Sequence, residues 1–135
     1  MDCLTKELWL VVEDDDNDFF LFRRACFRAL DREPCVHREK NGLSAKAFLS
    51  KHAQPPTLIV SDLKMPQMNG LELLAWVRQQ DDLSGIPFVM LSSSNVQKDV
   101  TAAEQLGATD YQVKSADLGE LVYMIKGMNA LQAAA

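Results

Sequence analysis

Groups able to handle phosphate or a hard metal ion stand at the ends of four short apolar runs. Glu13-Asp14 closes the run that starts at Leu8, and Asp15, Asp16 and Asp18 follow. Asp62 closes Thr57 to Ser61. Ser92 follows Phe88 to Leu91, with Ser93 and Ser94 behind it, and Lys114 follows Thr109 to Val113. If each run is a strand of one parallel sheet, two or three carboxylates, a hydroxyl and an ammonium share a cleft. Carboxylates so placed repel, and without a counter-ion one must hold its proton. A hard divalent cation removes that conflict. Mg²⁺ prefers oxygen ligands and keeps several waters, so one or two carboxylates and a backbone carbonyl suffice; Mn²⁺ suits the same donors. Asp62 can then stay ionised and attack phosphorus. The metal, Lys114 and Ser92 would neutralise the oxygens of the transferred group. Singly, each residue has a plainer reading. Acids at a helix start serve the dipole and the cap, and a strand-end Asp is commonly a turn residue. The weight lies in their order, each closing a different strand.

The hydrophobic pattern supplies the elements that would gather these groups. Leu8 to Glu13 (LWLVVE) reads as a buried strand, and Asp16 to Leu30 as a helix with Leu21, Phe22, Ala25 and Ala29 at core spacing. Cys35 to Lys40 is a weaker strand, polar at His37, Arg38 and Glu39, which suits a sheet edge. An Asn41-Gly42 turn precedes a short helix, Ser44 to Lys51, with Ala45, Phe48 and Leu49 inward. After Pro55-Pro56, Thr57 to Ser61 is a fully buried strand. Asn69 and Glu72 have capping-box spacing before a helix that buries Leu73, Leu74 and Val77. Phe88 to Leu91 is another buried strand. Ser94 and Gln97 repeat the capping-box spacing for a helix through Val96, Val100, Ala103 and Leu106, and Gly107 stands where a C-terminal cap belongs. Thr109 to Val113 is the last strand. Asp117 to Met128 is the last helix, with Leu118, Leu121, Val122 and Ile125 inward. Leu131 to Ala135 reads as a fraying end. Strict strand–helix alternation predicts an α/β fold, a doubly wound parallel sheet with helices on both faces. Its ligand cleft lies at the carboxyl ends of the strands.

A length of 135 residues allows one core and one domain, 1–135, with the core spanning about Leu8 to Met128 and a short tail after it. The formal charge of −5 argues against nucleic acid as a direct partner. Arg24, Arg28 and Arg32 recur every four residues and read as one solvated stripe. Cys3, Cys26 and Cys35 are odd in number and form no CxxC pair, so reduced thiols in a cytoplasmic protein are expected. Met1 to Lys6 has no apolar run like that of a signal peptide. No apolar run approaches the ~18 residues that a membrane span needs. Phe20 and Phe27 exceed what the core face of the first helix requires. Extra core packing is the expected account; a kinase contact or a homodimer is the alternative if they face outward.

The segments VVEDDDND (Val11 to Asp18), IVSDLKMPQMNGLELL (Ile59 to Leu74), PFVMLSSS (Pro87 to Ser94) and GATDYQVK (Gly107 to Lys114) resemble the CheY-like response regulator receiver family. The likeness runs from about Leu8 to Met128, and Glu39-Lys40-Asn41-Gly42 resembles the turn usual before the second helix. The resemblance implies five strands in the order 2-1-3-4-5 and a phosphoacceptor module of a two-component phosphorelay. Asp62 would be the phosphoacceptor. Asp14 would ligate Mg²⁺ directly, Glu13 through water, and Lys64 through its backbone carbonyl. Lys114 would pair with the phosphorylated aspartate, and Ser92 and Tyr111 would be the switch residues. The donor would be a sensor histidine kinase or a histidine phosphotransfer protein. The output would be a downstream protein contact on the fourth helix, fifth strand and fifth helix, Val96 to Met128, with no output domain after it and no separate substrate turned over.

Two departures stand out. Ser115 replaces the proline that usually follows the lysine, so a trans Lys114–Ser115 bond is expected, and the position of Lys114 becomes the test of an intact site. If Lys114 pointed away, an interaction module no longer phosphorylated would be the better reading. Lys64 also places a cation two residues past Asp62, where it is expected to alter the lifetime of a phosphoaspartate. A phosphatase of the haloacid-dehalogenase type would need an Asp at position 64. A flavin domain would need hydroxyls and amides where Asp14 to Asp18 would repel phosphate. No P-loop or GxGxxG pattern is present.

Overall fold

The computed structural model describes residues 7–32, 34–51 and 54–134. Strands β1 (Trp9–Val12), β2 (Val36–Glu39), β3 (Leu58–Ser61), β4 (Phe88–Ser92) and β5 (Asp110–Val113) alternate with helices α1 (Asp16–Leu30), α2 (Gly42–Lys51), α3 (Gly70–Gln79), α4 (Gln97–Gln105) and α5 (Leu118–Ala134). The strands form one parallel sheet in the order β2-β1-β3-β4-β5. Neighbouring side chains of a strand point to opposite faces, and here both faces are covered. Leu10, Val12, Ile59, Phe88 and Met90 pack with Leu49, Leu73, Leu74 and Val77 on one side. Trp9, Val11, Leu58, Val60, Val89 and Leu91 pack with Phe22, Ala25, Leu121, Ile125 and Met128 on the other. Two cores explain why β1, β3 and β4 are apolar at nearly every position. The edge strands β2 and β5 are only half-buried and carry polar residues.

Local signals set the starts of three helices. Asp15 caps α1 by accepting the Asp18 amide at 2.9 Å. The Asn69–Glu72 capping box is formed in both directions. Asn41 accepts the Ser44 amide at 2.7 Å, so Asn41-Gly42 is the N-terminus of α2 rather than a separate turn. Gly107, at φ 98°, stands just past the α4 cap residue Leu106, as expected.

Other expectations are corrected. The Ser94–Gln97 capping box does not form. The Ser94 hydroxyl donates to Asp99 at 2.5 Å instead, and α4 starts after Val96 without a side-chain cap. That helix covers the margin of the sheet beside β5 and buries only Ala103; Val96 and Leu106 are exposed. Residues 131–134, read as a fraying end, continue α5. Gln132 anchors them, accepting from the Trp9 indole at 3.0 Å and the Thr57 hydroxyl at 2.6 Å and donating to Glu7. Cys26 is buried and outside any disulfide, but Cys35 is disulfide-bonded, against the expectation of reduced thiols; Cys3 lies outside the described residues. Phe20 and Phe27 are 68% and 60% exposed, so they face outward and do not extend the core. Arg24 and Arg28 are exposed beside them, while Arg32 lies beyond the helix and pairs with Glu7. Among the described residues, no helix is long and apolar enough to cross a membrane.

Candidate functional site

The carboxyl ends of β1, β3, β4 and β5 converge because the strands run parallel and in register. Val12 pairs with Ser61, and Ser92 with Val113, which brings the residues that follow them together. Glu13 leaves β1 buried, its amide still in the ladder on Glu39 O at 3.0 Å. Asp62 leaves β3 the same way, its amide on Val12 O at 2.9 Å and its Oδ1 accepting the Leu63 amide at 2.7 Å. Lys114 leaves β5 with its amide on Ser92 O at 2.8 Å.

Lys114 points into the cleft. Its Nζ lies 2.7 Å from Glu13 Oε1, 2.8 Å from Asp18 Oδ2 and 3.0 Å from Asp62 Oδ2. No cis peptide occurs among the described residues, and Ser115 is itself tied down, donating to Glu120 at 2.6 Å and accepting the Asp117 amide at 3.0 Å. The serine therefore does not turn the lysine away. Burial and the nearby Asp62 charge push Glu13 up to about 7 against the pull of Lys114. Burial alone would lower Lys114, but the hydrogen bonds it donates to Asp18, Glu13 and Asp62 outweigh it and hold the ammonium above its ordinary range.

Glu13, Asp14 and Asp62 each offer a carboxylate oxygen, all within 4.8 Å of one another. Hard oxygen donors of this number, with Asp14 exposed on the open side, fit a divalent cation that keeps part of its water. The single ammonium of Lys114 faces the carboxylates of Glu13, Asp18 and Asp62, a surplus of negative charge that such an ion would relieve. Ser92 is buried at the end of β4, its Oγ accepting the Ser94 amide at 3.1 Å. Tyr111 is half-buried and donates to Ser94 O at 2.8 Å, which couples it to the loop after Ser92. The Lys64 side chain is exposed.

Two residues near the cleft carry little signal of their part in the sequence. In sequence Asp18 is one acid of a run; its place in the first turn of α1, just after the Glu13-Asp14 pair, is the available signal. Arg38, on the edge strand, donates to Glu13 O at 3.0 Å and carried no signal beyond being a cation in a weak strand.

A parallel sheet in this order, with an acidic cluster and a lysine at the strand ends, defines the receiver class of doubly wound domains. The family model for the response regulator receiver domain matches residues 10–126, and the chain belongs to that family, the signalling module of two-component systems. It is 35% identical over 127 residues to the response regulator Rcp1 of Synechocystis sp., which covers 90% of this chain and 85% of Rcp1. Among solved structures it resembles the phosphorylated cyanobacterial phytochrome response regulator RcpA, with a TM-score of 0.84, 30% identity and 94% of each chain covered. It also resembles the Mn²⁺-bound form of Rcp1, with a TM-score of 0.78, 33% identity and 92% of each chain covered.

Proposed function

We propose that this receiver accepts a phosphoryl group on Asp62 in a Mg²⁺-dependent transfer from the phosphohistidine of a sensor histidine kinase or a histidine phosphotransfer protein. The contact of Lys114 with Asp62 inside the Glu13–Asp14–Asp62 cluster is the observation that carries this reading. An Asp62 carboxylate oxygen bonds to phosphorus as the P–N bond to histidine breaks, and the imidazole leaves with the shared electron pair. Glu13, Asp14, Asp62 and the Lys64 carbonyl would hold the ion, which supplies charge neutralisation for the phosphoryl oxygens; Mn²⁺ would substitute. Lys114 follows the new charge on Asp62, and the hydroxyl of Ser92 turns toward it. Movement of the Ser92–Ser94 loop reaches Tyr111 through the Ser94 carbonyl, and the surface of α4, β5 and α5 changes for a downstream protein.

Phe20 and Phe27, outward on α1, offer a contact for the donor protein or for a second copy of the chain. RcpA is a phytochrome response regulator, so a phytochrome-type kinase is the first donor to test. The decisive experiment incubates the chain with acetyl phosphate and Mg²⁺ and follows intact mass. A hydroxylamine-sensitive phosphate adduct is expected on the wild type and not on Asp62→Asn. No adduct under saturating donor would instead support an interaction module that is no longer phosphorylated.

A further inference from the structure

We propose that Arg38 is a positioning residue for the divalent cation, holding the acidic turn after β1 so that Glu13 and Asp14 face Asp62. The inference rests on the reading of Glu13, Asp14 and Asp62 as the cation site. Arg38 sits on β2 opposite Val11 of β1, one strand out from the cleft. Its Nε donates to the backbone carbonyl of Glu13 at 3.0 Å. Its Nη1 lies 2.7 Å from Asp16 Oδ1, and its guanidinium carbon lies 4.7 Å from the centroid of the Phe19 ring. Only 17% of the side chain is exposed, and Nη2 is enclosed without a hydrogen-bond partner among the described residues.

One planar group thus fixes three points of the turn and the first turn of α1. The Glu13 carbonyl belongs to the peptide bond that leads into Asp14. Asp16 lies two residues further on. Asp14, itself exposed, is therefore strung between two pinned points. A run of five acids in six residues, Glu13 to Asp18, would splay under its own repulsion if nothing held it. A guanidinium keeps its charge and its fork geometry throughout, so it can hold a carbonyl and a carboxylate at a set spacing. A lysine ammonium on a flexible stem has no such fixed fork.

The competing account is that Arg38 only balances acidic charge. The two accounts predict opposite signs. A cation near an ion site repels the incoming ion, so charge balance alone makes removal of Arg38 tighten Mg²⁺ binding. A positioning role makes removal weaken it, because the ligands must then be ordered by the ion itself. The test is calorimetric titration of Mg²⁺, repeated with Mn²⁺, into the full chain, with the thermal midpoint in chelator confirming that each variant is folded. Arg38→Met is expected to weaken Mg²⁺ about tenfold, the lower end of what loss of a supporting contact costs a metal site. Unchanged or tighter binding would overturn the proposal. Should Arg38→Met fail to fold, Arg38→Lys decides. It keeps the charge, so charge balance predicts equal affinity, whereas positioning predicts clearly weaker binding. Asp62→Asn separates the two levels of the reading. If the wild type shows no saturable Mg²⁺ binding sensitive to Asp62→Asn, the cation site is refuted and this inference with it. Normal wild-type binding with unaltered Arg38 variants refutes the role of Arg38 alone.

Discussion

The three donors of the Lys114 ammonium are shared among Glu13, Asp18 and Asp62. An ion seated between Glu13, Asp14 and Asp62 competes with the lysine for two of those three. Asp18 is the partner outside the metal cluster, and it keeps Lys114 beside the cleft when the others turn to the ion. Asp18→Asn preserves shape and removes that hold, so Lys114 falls back on Glu13 and Asp62 and opposes the ion. The Asp18 side chain is 47% exposed, so the effect is discounted to about 0.5–1 kcal/mol, a two- to fivefold loss of Mg²⁺ affinity by calorimetry. A larger affinity than wild type would mean that Asp18 holds the lysine in competition with the ion. Glu13, Asp14, Asp62, Ser92 and Lys114 were legible in sequence because each closes a strand, and parallel pairing brings strand ends together. The Asp18–Lys114 bond joins residues 96 apart, one in the first turn of α1 and the other just past β5. Nothing local announces it, and the same holds for Arg38, whose partners lie on the neighbouring strand and helix.

At the scale of elements, the loop from β3 to α3 shows how a site is built on backbone. Gln67 and Met68 stand at φ 51° and 83°, a region that costs a residue with a side chain about 1–2 kcal/mol. The loop is held there from α2, whose Gly42 and Leu43 amides donate to Met68 O and Gln67 O, both at 3.1 Å. Gly70 opens α3 directly behind the acceptor; a Cβ there would come within 2.2 Å of Asp62 O. Gly→Ala in a helix ordinarily gains about 0.5–1 kcal/mol. Gly127, exposed in α5 with nothing within 4 Å of a Cβ, should show that gain as a higher urea midpoint. Gly70→Ala should reverse the sign, losing on the order of 2 kcal/mol through overpacking against backbone and weakening Mg²⁺ as Asp62 is displaced. Equal gains at both positions would show that the backbone behind Asp62 yields freely. The alternation of strands and helices was readable from periodicity, since each buried strand lies between two apolar layers. The α4 start departs from its capping-box spacing because Ser94 spends its hydroxyl on Asp99. The last turns of α5 are not legible locally because their anchors, Trp9 and Thr57, lie on the far side of the sequence.

At the scale of the whole molecule, two well-filled cores carry a cleft in which like charges are crowded. Such a site works against the fold that holds it, and the conflict can be measured in either direction. Asp14 is exposed and is not among the partners of Lys114. Asp14→Asn therefore relieves repulsion without taking a partner from the lysine, and its chelator-treated melting temperature should equal or exceed that of the wild type. Lys114→Met strips three carboxylates of their cation, and its ion-free stability should fall on the order of 2 kcal/mol. Added Mg²⁺ should stabilise the wild type by about 1.4 kcal/mol at ten times its Kd, a rise of a few degrees. It should do little for Asp14→Asn, which lacks a ligand. It should raise Lys114→Met by more than the wild type, because the ion no longer competes with an ammonium for Glu13 and Asp62. Melting curves of the three chains with chelator and across a Mg²⁺ series decide the matter. If Mg²⁺ raises all three by the same amount, the ion is acting elsewhere on the acidic surface and the strand-end cluster is not its site.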